Sequence, residues 1–361
     1  MIPDWFPDHP PIYDIHKTYT ENAEQGPFFS GEIPKRPKGR PINFLGFQIN
    51  SPIGVPAGPL LNSRWIALAA KLGYDVPTYK TIRSYAHPSH ALPNVIYVKP
   101  VAENRAVAIK MPPNDLAELS ITNSFGNPSK SPDFLLEDIA KANASLGKGQ
   151  VMIVSVYGTP DQGVSLADDF VRAAVLAREA GAKIIEANFS CPNVEKAGGC
   201  LYMNSATVLE FVRKLKGAVG NIPLLIKVGL FEHEKQMHDV FLAAARGGAD
   251  GICGINTISM EVLDAQGHPA LGEKRRTGGV CGGSIRKKAL AFIHQASQII
   301  RKEKLGLTLL GCGGIAKPEH FEEFLEAGAQ IALTATGMMW DPYLALRYHE
   351  RIRHDSPSAR S

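Results

Sequence analysis

Cysteine is scarce in this chain, with five in 361 residues and no C-x-x-C pair among them. A disulfide framework, a zinc site and an iron–sulfur nest all require paired or closely spaced cysteines, so none of the three is expected. No other metal site is expected either. The cysteines are therefore predicted to be free thiols: Cys191, Cys200, Cys253, Cys281 and Cys312.

Long apolar runs and long basic runs are also missing. No apolar stretch reaches the roughly 18 to 20 residues that span a bilayer, and the N-terminus lacks the basic-then-apolar start of a secretory signal. We therefore expect a cytoplasmic protein without a membrane span. The 39 basic and 35 acidic residues are distributed along the chain and leave a net charge of +4. A nucleic acid partner is not expected.

Short apolar runs alternate with amphipathic segments along most of the chain. Strands are predicted at 53–55, 76–82, 151–156, 184–189, 224–228, 252–255, 307–310 and 331–335. Helices are predicted at 65–72, 166–180, 208–218, 237–246, 285–300, 320–326 and 343–351. Strands joined through helices pair in parallel, so these eight steps predict an α/β protein built on a closed (β/α)8 TIM barrel, with an open doubly wound sheet as the alternative.

The segments outside this alternation suggest additions to one barrel domain. Residues 1–45 form a proline-rich N-terminal extension without sustained periodicity, predicted to be a surface wrap or a mobile arm. The barrel is expected over 46–352 and a C-terminal tail over 353–361. An insertion at 83–122, after the second strand, predicts a β-hairpin, and the glycine-rich stretch 260–284 predicts a lid or a cofactor-contacting loop.

The segment from Lys183 to Asn193 is an apolar strand that ends in two amides flanking the thiol of Cys191. A buried strand does not need Asn, Ser, Cys and Asn within six residues, and that mixture places donors, acceptors and an ionisable sulfur on one turn. The segment therefore predicts an active site. The alternative is a strand end with turn-forming Asn and a structural Cys.

Nearly every predicted strand ends in residues that packing does not require. The active site of a barrel is formed by residues at the carboxyl ends of many strands, so a single site accounts for all of these residues. The residues are Ala57-Gly58, Lys80-Thr81, Ser155, Asn188 to Asn193, Lys227, Asn256-Thr257, Gly313-Gly314 and Ala335-Thr336.

Two loops near the C-terminus predict a phosphate site. Gly313-Gly314 and Ala335-Thr336 follow the last two predicted strands, where barrels commonly hold a phosphate through backbone N–H groups. Tight turns are the alternative, but two such loops after consecutive strands favour phosphate.

Together these residues resemble the dihydroorotate dehydrogenase family, flavin-dependent barrels related to the dihydropyrimidine dehydrogenases, over about residues 46 to 350. A Cys in the catalytic turn resembles the soluble class 1 enzymes, since class 2 enzymes use Ser. The N-terminal extension and the long insertion depart from the compact class 1 pattern. The matching motifs are Tyr79-Lys80-Thr81, Asn123-Ser124-Phe125-Gly126, Asn188 to Asn193 (N-F-S-C-P-N), Lys227, Asn256-Thr257, Gly278 to Gly283, and Gly311 to Gly314 with Ala335-Thr336.

The resemblance implies FMN as cofactor and the oxidation of dihydroorotate to orotate in pyrimidine biosynthesis. Cys191 would take a proton from C5 while a hydride leaves C6 for flavin N5. The implied substrate-binding residues are Lys80, Asn123, Phe125, Gly126, Asn127, Asn188, Asn193, Asn256 and Thr257. The implied cofactor-binding residues are Ala57, Gly58, Lys80, Thr81, Asn188, Lys227, Ile255, Gly282, Gly283, Gly313, Gly314, Ala335 and Thr336.

The electron acceptor and the assembly follow from the same resemblance. No G-x-G-x-x-G fingerprint and no cysteine cluster is present, so NAD would accept electrons only through an electron-transfer subunit. Fumarate and quinone are the other candidates. A homodimer is expected.

Two other functions stay open at this point. One is a dihydropyrimidine oxidoreductase acting on uracil or thymine, although those enzymes carry His where this chain has Asn193. The other is a non-catalytic flavin- or phosphate-binding barrel, disfavoured because Cys191, Lys80 and Lys227 are all present. For Lys227 alone the alternative is a surface cation.

Overall fold

A computed structural model describes residues 12–36, 39, 41–160, 163–190 and 201–354. Its strands are β1 Ile42–Phe44, β2 Phe47–Ile49, β3 Ile53–Val55, β4 Val76–Ile82, β5 Val95–Ala102, β6 Arg105–Ala108, β7 Ser120–Asn123, β8 Ile153–Val156, β9 Ile184–Asn188, β10 Leu224–Val228, β11 Gly251–Gly254, β12 Ile258–Leu263, β13 Thr277–Gly282, β14 Thr308–Cys312 and β15 Ile331–Leu333. Its α-helices are α1 Tyr19–Gln25, α2 Ser63–Lys71, α3 Pro132–Ala144, α4 Leu166–Glu179, α5 Ser205–Val219, α6 Glu234–Gly247, α7 Arg286–Lys302, α8 Pro318–Glu326, α9 Thr336–Trp340 and α10 Leu344–His354.

Eight parallel strands close a barrel in the order β10-β11-β14-β15-β3-β4-β8-β9, which confirms the predicted TIM barrel. Each of the eight strands predicted from the sequence is present. Helix α3 was not predicted. It begins with the Ser131 cap, but Asp138 interrupts its apolar stripe and is buried, where it accepts a 2.6 Å hydrogen bond from the hydroxyl of Tyr79.

The amino-terminal end of the barrel is closed by packing. The β1–β2 hairpin places Phe44 and Ile49 against apolar side chains of the barrel interior, such as Ile184 and Leu225. Burial of such side chains stabilises the fold by roughly 1.5–3 kcal/mol each. The opposite end, where the strands reach their carboxyl termini, is therefore the end available for a site.

The insertion is larger than a hairpin. The predicted hairpin is confirmed as the antiparallel pair β5–β6, but the prediction of a loop at 260–284 was wrong, because β12 and β13 pair there and complete a closed five-stranded barrel with β5, β6 and β7. A Cβ at Gly278 would lie 2.3 Å from Thr122 Oγ1, and one at Gly279 the same distance from Thr257 Oγ1. Close packing thus requires glycine at these two positions of β13. Because glycine is unfavourable in strands, the sequence did not predict a strand there.

The prediction of a surface wrap was wrong for the first described residues. Ile12 and Tyr13 are buried in the main core, and α1 follows them with a capping box at Thr18. Among the described helices, none is long and apolar enough to cross a membrane. The domain boundaries drawn from the sequence remain a prediction.

Candidate active site

One cavity lies between the carboxyl ends of the eight barrel strands and the five-stranded barrel. The ends of β4, β9 and β10 line it from one side, and β7 and β13 line it from the other. Parallel strands deliver their last side chains to the same end of a barrel, so residues far apart in sequence meet there.

The structure brings the predicted site residues together in this cavity. All the residues assigned to substrate or cofactor binding within the described ranges line it except Gly283. They are Ala57, Gly58, Lys80, Thr81, Asn123, Phe125, Gly126, Asn127, Asn188, Lys227, Ile255, Asn256, Thr257, Gly282, Gly313, Gly314, Ala335 and Thr336. Ser155, which the sequence grouped with them, is buried behind the wall and accepts a hydrogen bond from Thr81.

Three predicted residues need separate comment. Gly283 packs away from the cavity wall: its N–H donates to the carbonyl of Leu119 at 2.7 Å, and a Cβ would lie 2.0 Å from the carbonyl oxygen of Ala117. These close backbone contacts explain why residue 283 is glycine. Cys191 and Asn193 lie outside the described residues, so their assigned roles remain predictions.

The amides at the ends of β9 and β11 form a connected group. Asn256 Nδ2 donates to Ser190 Oγ at 2.9 Å and to Asn188 Oδ1 at 3.4 Å. Asn256 Oδ1 accepts from the N–H of Thr257 at 2.8 Å, and Asn188 Oδ1 accepts from the N–H of Ser190 at 3.2 Å. These bonds fix both amides and use the oxygen of Asn188, whose NH2 group has no hydrogen-bond partner within the described part of the chain and could bind a ligand.

Lys80 and Thr81 form the β4 part of the wall. The Lys80 side chain is buried, and its backbone N–H donates to the carbonyl of Leu60 at 3.0 Å. Thr81 Oγ1 donates to Ser155 Oγ at 3.1 Å. The strand itself therefore holds the lysine at the cavity.

Lys227 lies at the cavity floor between two sulfurs. Its Nζ is 3.3 Å from Cys253 Sγ and 3.2 Å from Cys312 Sγ. Burial acts to lower the pKa of Lys227, but Cys253, Cys312 and Glu186 outweigh it and raise that pKa well above its usual value. The lysine is thus held as an ammonium ion, and the alternative of a surface cation is excluded by its burial.

The pKa values of the two thiols, Cys253 and Cys312, are shifted in opposite directions. A hydrogen bond from Cys253, together with the charge of Lys227, lowers the pKa of Cys312 to about 6 against the opposing effect of burial. Burial and the same hydrogen bond raise the pKa of Cys253 well above its usual value. Lys227 therefore favours the ionised form of Cys312 more than that of Cys253.

The sequence analysis missed Glu186. Its side chain lines the cavity and is buried, and neither carboxylate oxygen has a hydrogen-bond partner among the described residues. A glutamate inside the apolar run of β9 was the available signal, because a strand buried on both faces has no packing use for a carboxylate.

The glycine cradle is the loop Gly313-Gly314, which lines the cavity directly after β14. Gly314 has a φ of +75°, which L side chains rarely adopt. A Cβ there would lie 2.7 Å from both the carbonyl oxygen of Gly282 and the Cβ of Arg286. Thr336 begins α9, so the first N–H groups of that helix turn are free of intrahelical partners.

Other lining residues gave no sequence signal for a site. Tyr13 comes from the N-terminal extension, and Cys281, Cys312 and Met339 come from apolar or glycine-rich stretches. Only the fold places these residues at the cavity.

Comparison with known proteins gives a consistent result. The family model described as dihydroorotate dehydrogenase matches residues 42–354. A protein named dihydroorotate dehydrogenase from Dictyostelium discoideum is 45% identical over 370 aligned positions, which cover 98% of this chain and 100% of that protein.

More distant relatives match about half of the chain. The catalytic subunit of a dihydroorotate dehydrogenase B (NAD(+)) from Shouchella clausii is 33% identical over 50% of this chain and 56% of its own length. A dihydroorotate dehydrogenase A (fumarate) from Limosilactobacillus reuteri is 33% identical over 48% of this chain and 54% of its own length.

Proposed function

The chain belongs to the dihydroorotate dehydrogenase family, and from this premise we propose that its cavity binds FMN and dihydroorotate and oxidises dihydroorotate to orotate. The reaction removes two hydrogens from adjacent ring carbons, as a proton and a hydride. The cavity must therefore hold a base, a hydride acceptor and an anionic ring.

The charge of the cavity wall carries this proposal. Among the lining residues that the structure describes, the side chains with a formal charge are Lys80, Lys227 and Glu186. Both lysines are buried. A substrate carboxylate and a flavin ring that becomes negative on reduction are anionic groups that such buried cations would stabilise.

The residues present fit a flavin mononucleotide. Gly313 and Gly314 line the cavity without side chains, so their backbone N–H groups could approach a phosphate closely, and the first turn of α9 adds N–H donors. Lys227 would hold the part of the flavin that becomes negative on reduction. When bound, FMN supplies the hydride acceptor at its N5.

The chain's own residues would position the substrate and take its proton. Lys80 and the loop 123–127 would bind the carboxylate, and the amide group of Asn188 and Asn256 would bind the ring carbonyls and N–H groups. Cys191 would remove the C5 proton as general base. Asn193 would be the third amide side chain that binds the substrate ring.

The same proposal includes the oligomeric state of the protein, its location in the cell and its electron acceptor. A homodimer, a cytoplasmic location and, with NAD as acceptor, an electron-transfer subunit remain our predictions. An assay of dihydroorotate oxidation against fumarate, a quinone and, with the electron-transfer subunit added, NAD would assign the acceptor.

Substrate choice gives the decisive test, because uracil-type rings lack the C6 carboxylate. Leaving Lys80 and the donors of loop 123–127 without that partner should weaken binding of uracil about a hundredfold or more relative to orotate. Binding is measured by the change in flavin absorbance on titration. Lys80→Ala should remove much of this preference, whereas Lys99→Ala, at an exposed position of β5, should leave it unchanged.

Two results would contradict the proposal. Purified protein that releases no FMN on denaturation and takes up none would exclude a flavin enzyme. Equal affinity of the wild-type protein for uracil and orotate would favour a dihydropyrimidine oxidoreductase.

A further inference from the structure

The N-terminal segment, residues 12–25, is built into the active-site end of the molecule. Asn22 is buried within it and organises its turn: the side chain donates to the carbonyls of Asp14, Lys17 and Thr18 at 2.9, 3.1 and 3.0 Å. Its Oδ1 accepts from the N–H of Asp14 at 2.9 Å. One amide therefore fixes the turn that precedes α1.

The same segment is bonded to two separate parts of the barrel domain. Asn62 and Arg64, at the start of α2, each donate to the carbonyl of Ala23 at 2.7 Å. The N–H of Tyr19 donates at 3.1 Å to Asn94 Oδ1, in the insertion directly before β5. The segment thus bridges α2 and the insertion.

This anchoring places Tyr13 at the cavity wall. Its ring packs against Trp65 with centroids 6.1 Å apart and against Phe125 with centroids 5.9 Å apart. Phe125 belongs to the loop 123–127 and also packs against Tyr19 at 5.4 Å. The segment therefore supports the loop to which we assign substrate binding.

The hydroxyl of Tyr13 has no hydrogen-bond partner among the described residues, although the residue is only 1% exposed. A buried hydroxyl without a partner is destabilising, so such groups usually have a partner or a function. Because Tyr13 lines the cavity, a bound molecule can provide the missing acceptor.

We propose that the Tyr13 hydroxyl donates a hydrogen bond to the pyrimidine substrate, which makes the N-terminal segment a part of the substrate site. The inference rests on the proposed function. The substrate is favoured over the flavin because Tyr13 packs directly on Phe125 of the substrate loop, and a carboxylated pyrimidine carries acceptors around its ring. Burial raises the pKa of Tyr13, so the group stays protonated as a donor.

Tyr13→Phe tests this directly, since it keeps the ring contacts and removes only the oxygen. We expect the dissociation constant of orotate, measured by flavin absorbance on the holoenzyme, to rise about tenfold. The dissociation constant of FMN from the apoprotein should not change. Tyr74→Phe is the matched control, because Tyr74 is equally buried and does not line the cavity.

Stability adds a second readout. Loss of a hydroxyl without a protein partner should leave the urea midpoint of the apoprotein unchanged or raise it, whereas loss of a structural hydrogen bond would lower it. A lowered midpoint with unchanged orotate affinity would overturn the proposal. Weaker FMN binding with unchanged orotate affinity would also overturn it, by placing the hydroxyl at the cofactor. Wild-type protein that binds neither FMN nor orotate would instead contradict the proposed function itself.

Discussion

The ammonium group of Lys227 lies 3.2 Å from the sulfur of Cys312, deep in the floor of the cavity. When protonated, Cys312 donates to the carbonyl of Ile255 at 2.9 Å, and when it loses its proton the sulfur accepts from Lys227. The hydrogen bond from Cys253 and the charge of Lys227 both lower the pKa of Cys312. The buried ammonium group thus favours ionisation of the thiol whose sulfur accepts its hydrogen bond.

Substitution of Cys312 should show how much this contact contributes. Cys312→Ala and Cys312→Ser leave side chains of similar size, but only serine keeps an acceptor for Lys227. We expect the alanine variant to have a free energy of unfolding about 1–3 kcal/mol lower than the serine variant, because a buried ammonium loses a partner. Urea denaturation of the apoprotein measures the difference. Equal stability would mean that Cys253 alone satisfies the lysine.

Glu186 and Lys227 should be coupled energetically. Removing one member of a buried charge pair typically costs about 3–5 kcal/mol, since the other charge is left uncompensated. We expect Glu186→Gln and Lys227→Met each to be strongly destabilising, and the double variant to be less destabilised than the sum of the two. A double-mutant cycle on the free energy of unfolding measures the coupling. If the changes in the free energy of unfolding are strictly additive, Glu186 and Lys227 do not interact.

The sequence predicted the barrel well because its signal is local and repeated. Apolar runs such as Leu224–Val228 alternate with amphipathic helices, and each strand is bounded by polar or glycine residues. The second barrel was missed because it is assembled from distant segments and because β13 carries three glycines that close packing requires. Strand propensity does not report such packing.

The site was predictable only where residues follow strands. Asn188 and Lys227 are recognisable because polar side chains end apolar runs, and the fold brings both to the cavity. Tyr13 was not recognisable, because it reaches the cavity through the anchoring of Asn22 and Asn62 rather than through a local pattern. The roles assigned to individual residues remain predictions.

The glycine cradle can be tested with a matched pair. Gly314→Ala forces a Cβ onto a φ of +75° and into the carbonyl of Gly282, whereas Gly306→Ala has a similar φ of +67° with no atom within 4 Å. Both should lose about 1 kcal/mol of stability through backbone strain, and Gly314→Ala should lose more because of its contact with the carbonyl of Gly282. Only Gly314→Ala should weaken FMN binding, measured by quenching of flavin fluorescence on titration with apoprotein. Equal FMN affinity in both variants would show that the flavin phosphate does not bind at this loop.

His349 predicts a pH dependence of stability. Burial, with a contribution from Arg36, lowers its pKa to about 4, while its Nε2 contacts the carbonyl of Gly73 at 2.8 Å. In the unfolded chain the pKa is about 6.5, so the unfolded state takes up the proton first as pH falls. This stability is complete above the unfolded value and is lost between about pH 6.5 and 4, by up to about 3 kcal/mol.

His349→Gln is the variant that isolates this effect, because glutamine keeps a donor for Gly73 and does not titrate. We expect the urea midpoint of the wild-type apoprotein to fall more steeply than that of the variant between pH 6.5 and pH 4. Parallel profiles would assign the acid sensitivity to other groups.

Cys191 is the residue on which the proposed chemistry depends most. Cys191→Ser should leave FMN bound but slow flavin reduction by dihydroorotate ~10²–10⁴-fold, because a hydroxyl is a far weaker base than a thiolate. The rate should recover in part at high pH. Anaerobic stopped-flow loss of flavin absorbance in a single turnover measures it, with Cys200→Ser as the control expected to match wild type. If both variants reduce the flavin at the wild-type rate, the C5 proton is taken by another group, and Cys191 returns to the alternative of a structural cysteine at a strand end.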